Sequence, residues 1–167
     1  KYFVDTIDYE TPSLAEKIRY ASKVIYSVEA KRKIAVVLDR FRPDVAHLHL
    51  FQHQLSPSIL PEIRKRGTPV VYTVHDLKPV CPNYKMLSHG TVCEKCLNGR
   101  YVHYLLNRCT KDSYPKSLLN TVEMYFHKWK KYYDLIDVFL TPSDFHRRKL
   151  IEGGYPAEKV VHVPNFV

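Results

Sequence analysis

Short apolar segments rich in valine alternate along this chain with stretches of helical periodicity. That alternation predicts an α/β fold, with a Rossmann-like parallel sheet covered by helices on both faces. A second observation agrees: turn and capping signals fall between the segments rather than inside them. A third is size and balance, since 167 residues with 45% hydrophobic and 26% charged side chains suit one ordinary domain with a real core.

The elements follow in order. Thr11-Pro12-Ser13, with Glu16 completing a capping box, opens a helix. Leu14, Ile18, Ala21, Ile25 and Val28 continue it at spacings of 4, 3, 4 and 3, and a weaker helical pattern runs to about Arg40. Asp44 to His49 reads as a strand, Pro57 to Arg66 as a helix stopped by Gly67, and Pro69 to Asp76 as a second strand. Residues 77–115 lack clear periodicity and hold all four cysteines. Leu118, Val122, Tyr125, Trp129 and Tyr132 repeat the 4, 3, 4, 3 spacing, which predicts a helix over 116–133 with this stripe in the core. Asp137 to Thr141 is a third strand, Ser143 caps a helix ending at Gly153-Gly154, and Lys159 to Val163 is a fourth strand. The expected organisation is a single domain over 1–167 with an irregular insert at about 77–115.

Composition excludes several classes. The longest unbroken apolar run is five residues, Ile34 to Leu38, too short to span a bilayer. No apolar leader follows Lys1. The chain has no G-x-G-x-x-G, no P-loop, no G-x-S-x-G and no H-E-x-x-H. Lys and Arg number 26 against 17 Asp and Glu, a formal charge of +9, which points to an anionic partner. A zinc-stabilised nucleic-acid-binding module is therefore a competing reading. The basic residues are spread along the chain, however, and no nucleic-acid motif accompanies them.

In an open parallel sheet, ligands bind beyond the carboxyl ends of the strands. The sequence delivers polar groups to that rim four times: His47, His49, Gln52 and His53 after the first strand, His75, Asp76 and Lys78 after the second, Ser143 after the third and Asn165 after the fourth. Ser143 has an alternative and favoured role as a helix cap. Cys93 and Cys96 have knuckle spacing, with Cys81 and Cys109 on either side. Four thiolates would satisfy a structural zinc and pin an insert that otherwise lacks a core; disulfides and free thiols are the alternatives. Lys128, Lys130 and Lys131 beside Trp129, Tyr132 and Tyr133 suit either an ordinary amphipathic helix or an anionic membrane surface.

Seven segments in order carry a resemblance: Arg42-Pro43-Asp44-Val-Ala-His-Leu-His49, Leu55-Ser-Pro-Ser-Ile-Leu60, Gly67-Thr-Pro-Val-Val-Tyr-Thr-Val-His-Asp76, Cys81-Pro-Asn-Tyr84, Val92-Cys-Glu-Lys-Cys96, Leu140-Thr-Pro-Ser-Asp-Phe145 and Val163-Pro-Asn-Phe-Val167. Together they resemble the acceptor-side domain of family-four retaining glycosyltransferases. The resemblance implies half of a GT-B enzyme, truncated at both ends, that moves a sugar from a nucleotide-sugar to a glycan or lipid-linked acceptor. The family's glycine-rich opening strand and its donor domain would lie outside this chain, and the isolated fragment should be inactive. Leu50 departs from the asparagine that family members often carry after H-x-H. The resemblance makes His75, near the reacting sugar, and Asp76 the catalytic positions, with Asp76 orienting His75 or capping the turn rather than reacting. It makes His49, Gln52, Lys78, Asn83, Tyr84, Ser143 and Asn165 the acceptor-side contacts. It also implies no cofactor for catalysis, a hexosyltransferase of polysaccharide biosynthesis, and a cytoplasmic enzyme, where disulfides are disfavoured; on the membrane reading, the lysine-bearing helix would hold it at the inner face of the membrane. A non-catalytic relative remains a further alternative.

Overall fold

The computed structural model of the chain describes residues 2–4 and 21–165. The helix start expected at Thr11 to Glu16, with Leu14 and Ile18, lies outside them. Four parallel strands form the sheet: β1 (Ala46–His49), β2 (Val70–Thr73), β5 (Val138–Thr141) and β6 (Val160–His162), in the order β1-β2-β5-β6. The register sets Ala46 opposite Val70, Val71 opposite Val138 and Phe139 opposite Val160. A two-residue hairpin, β3 (Leu87–Ser88) with β4 (Thr91–Val92), lies in the insert. Helices α1 (Val28–Phe41), α2 (Leu60–Arg64), α3 (Val102–Leu106), α4 (Tyr114–Trp129) and α5 (Asp144–Glu152) complete the architecture. This is the α/β arrangement, a parallel sheet flanked by helices, that the alternation of segments predicts.

Covering the sheet requires apolar groups on β2 and β5, and Val70, Tyr72, Val74 and Phe139 are accordingly buried. They pack with Ile59, Leu60 and Ile63 from the turn and helix before β2, and with Leu150 from α5. Asp137 pins the start of the sheet: its carboxylate accepts the Val70 amide at 2.7 Å and pairs with Arg64 at 2.8 Å.

Two expectations fail here. The long N-terminal helix is interrupted at Tyr26 and Ser27, and α1 begins afresh at Val28. Ser27 is the cause: its hydroxyl accepts the Ala30 amide, while its own amide donates to Ser56 Oγ and Ser58 Oγ at 3.2 and 3.1 Å. An N-cap of this kind starts a helix and cannot continue one. Val28, expected on the buried face, is exposed.

The second failure concerns α4. Of its expected core stripe, Leu118, Val122, Tyr125 and Trp129 face outward while Tyr132, past the helix end, is buried; its inner face is Ser117, Thr121, Glu123, Met124 and His127. That inner face is held by polar bonds. Ser117 Oγ accepts the Thr110 amide, Asn120 donates to Thr110 and Tyr104 hydroxyls, and His127 Nε2 donates to the Ile25 carbonyl at 2.8 Å. The insert also has a core of its own, Cys96, Tyr101 and Tyr104 packed on Met124.

Candidate functional site

The carboxyl edge of the sheet gathers histidines because β1 and β2 run parallel and in register, His47 opposite Val71 and His49 opposite Thr73. His47 Nε2 meets Thr73 Oγ1 at 2.7 Å. His49 Nδ1 meets His75 Nε2 at 2.8 Å, with ring centroids 5.1 Å apart. Partial burial, then the neighbouring His47 and His75, lower the pKa of His49, so its ring is neutral near pH 7. Two neutral imidazoles sharing one hydrogen bond have a fixed outer pattern. The donating ring keeps a lone pair on its far nitrogen, and the accepting ring keeps an N–H on its own. With both rings neutral, either tautomer offers one donor and one acceptor, the pattern that pairs with a hydroxyl group.

Asp76 follows, and its carboxylate accepts the Lys78 amide at 3.0 Å, closing the turn after β2. The partner that orients His75 is His49, so the capping alternative for Asp76 is the one present. The Asp76 charge also reaches His53 and His146, raising the pKa of each against the larger lowering effect of burial. His146 is a rim residue the sequence reading missed. It stands in the first turn of α5, its ring nitrogen Nδ1 2.8 Å from Ser143 Oγ. The signal was present: a helix capped at the rim brings its third residue back to the same edge. Ser143 accepts the His146 amide as the N-cap of α5, as the capping reading favoured.

Other expected contacts are placed elsewhere. Gln52 is buried and donates to the Tyr72 hydroxyl beneath the sheet edge. Lys78 is also buried, its ammonium 2.8 Å from Glu123 Oε2 and 3.1 Å from the Pro82 carbonyl. Asn83 organises its own turn: its amide donates to Leu87 O and its oxygen accepts the Lys85 amide. These three have their polar groups committed to the scaffold. Tyr84 and Asn165 are exposed and keep their side chains available to solvent. A cavity of about 240 Å³, lined by His127, Tyr133, Gly153 and Tyr155 among others, includes none of the rim histidines.

Cys81, Cys93, Cys96 and Cys109 are all free thiols. They converge around two peptide groups. The Met86 amide points to the Cys81 sulfur and its carbonyl accepts the Cys93 amide at 2.8 Å, while Tyr104 does the same for Cys96 and Cys109. Burial, then the three neighbouring thiols, push Cys96 up to about 12. Among the described residues, however, no group of three or more His, Cys, Asp or Glu side chains stands at metal-holding spacing. The expected zinc set comes together as a cluster of thiols and not as a coordination sphere.

A parallel α/β layer whose carboxyl edge gathers polar side chains is an architecture that binds its ligands at that edge. The chain matches the sequence profile described as Glycosyltransferase Family 4 over residues 15–167, and it belongs to that family. No curated protein and no solved structure matches it. Among the described residues no helix is long and apolar enough to cross a membrane.

Proposed function

We propose that this chain is the acceptor-side half of a retaining transferase that moves a hexosyl group from a nucleotide-sugar to a glycan or lipid-linked acceptor. The observation that carries the reading is the His49–His75 pair at the carboxyl edge of a family-four domain. In this role the pair grips a sugar hydroxyl by donating and accepting at once. A second domain would close over the rim and bring the nucleotide. Positioned hydrogen bonds of this kind are worth most once that closure excludes water. Asp76 shapes the turn that presents His75, and Tyr84, His146 and Asn165 are available to a bound acceptor. The four thiols belong to the scaffold of the insert.

The test is nucleotide release by the enzyme carrying both halves, assayed with a panel of nucleotide-sugar donors. His75→Ala should lower turnover by roughly 10²-fold. Asp76→Asn should cost less, because an Asn oxygen can still accept the Lys78 amide. A folded His75→Ala enzyme within a few-fold of wild type would remove the histidine pair from the site.

A further inference from the structure

The outward apolar face of α4 is the strongest unassigned feature of the molecule. Tyr114, Leu118, Val122, Tyr125 and Trp129 recur every three or four residues and are all exposed, Trp129 at 72%. Beside them stand Val102 and Leu106 of α3, also exposed, held there by the Val102 amide donating to Tyr125 Oη at 3.1 Å. Scattered exposed apolar residues need no explanation, but seven on adjacent helices form a patch. The inner face of α4 is already engaged by hydrogen bonds and a buried ion pair, so turning the helix over would not hide the stripe.

Charge decides what covers this face. From 108 to 131 the basic residues are Arg108, Lys111, Lys116, Lys128, Lys130 and Lys131, and the acidic ones are Asp112 and Glu123. Both acids are neutralised internally, Asp112 by Arg108 at 3.2 Å and Glu123 by Lys78 at 2.8 Å. Each end of the stripe pairs an aromatic ring with a cation: Arg108 lies 5.4 Å from the Tyr114 ring centroid and Lys130 4.2 Å from that of Trp129. Aliphatic groups lie between. Aromatic rings at the ends, aliphatic side chains in the middle and flanking lysines are the layout of a helix lying in a membrane interface.

We propose that α4, with α3 beside it, docks the protein flat onto an anionic lipid bilayer. Leu118, Val122 and Trp129 enter the headgroup boundary, and Lys116, Lys130 and Lys131 meet the lipid phosphates, while Lys128 donates to the Asn98 carbonyl at 3.0 Å. The docking does not depend on sugar transfer.

Trp129 is the single tryptophan of the chain, so tryptophan emission, excited selectively over the tyrosines, reports this face alone. Phosphatidylcholine vesicles containing phosphatidylglycerol should co-sediment the full chain, shift its emission to the blue and protect Trp129 from acrylamide. Pure phosphatidylcholine should do so far less. Each lysine lost should weaken partitioning roughly fivefold, so Lys130 and Lys131 both changed to Gln should weaken it roughly 25-fold. Leu118→Ser with Val122→Ser should abolish the blue shift, and because both positions are exposed the melting temperature should hold. Equal binding to neutral and anionic vesicles, no binding to either, or lysine variants retained like wild type would each overturn the proposal. So would a Trp129 already shielded from acrylamide without lipid, which would mean that protein covers the face.

Discussion

Replacing Lys78 by Met removes one half of an ion pair that has no access to water. Lys78 and Glu123 have side chains 1% and 0% exposed, and the ammonium is satisfied by the carboxylate at 2.8 Å and the Pro82 carbonyl at 3.1 Å. The substitution leaves the carboxylate buried without its cation, which costs about 3–5 kcal/mol. A domain of this size has roughly 5–15 kcal/mol in total, so the variant should fold but melt far below wild type. His127 Nδ1, 3.9 Å from Glu123 Oε1, adds a pH signature. In the wild type, burial first and the Lys78 charge also lower the pKa of His127, against the raising effect of Glu123. The native state therefore resists a proton that the unfolded chain accepts, and this residue's contribution to stability is lost as pH falls below the ordinary histidine range. Without Lys78 one lowering cause is gone, and protonated His127 can partner the stranded carboxylate. The deficit of the variant should then narrow as pH falls from about 7 towards 5.5. Lys78→Met with Glu123→Leu should recover most of the loss, since an apolar pair of similar volume often replaces a buried ion pair at little cost. Urea denaturation followed by circular dichroism, at several pH values, measures all three. A Lys78→Met loss below about 1 kcal/mol, or a double variant worse than either single one, would refute the argument.

Two further outcomes are expected. A Cβ added at Gly153 would stand 2.3 Å from Val80 Cγ1, so Gly153→Ala should destabilise by about 1–3 kcal/mol in thermal or urea unfolding, although its backbone suits alanine. The four cysteines should titrate as four thiols after unfolding, and Cys81, Cys96 and Cys109 should react slowly beforehand, because burial holds them above their ordinary pKa; a mass shift on reduction, revealing disulfides, would contradict this.

Much of the molecule could be read in one dimension. Strand positions, the Gly67 stop and the Ser143 cap follow from local preferences that hold in any context: valine packs on a pleated surface, glycine adopts positive φ, and serine accepts an amide. The histidine rim was legible too, because parallel strands must deliver their carboxyl ends to one edge. Tertiary structure alone decided which side of a helix is inside. Periodicity states that the residues of the 118–129 stripe share a face, but the core is on the side where partners exist, and here Lys78, Thr110 and the Ile25 carbonyl hold the polar face inward. Lys78 and Gln52 looked like site residues for the same reason. Their partners Glu123 and Tyr72 lie 45 and 20 positions away, and no local pattern encodes a contact at that separation.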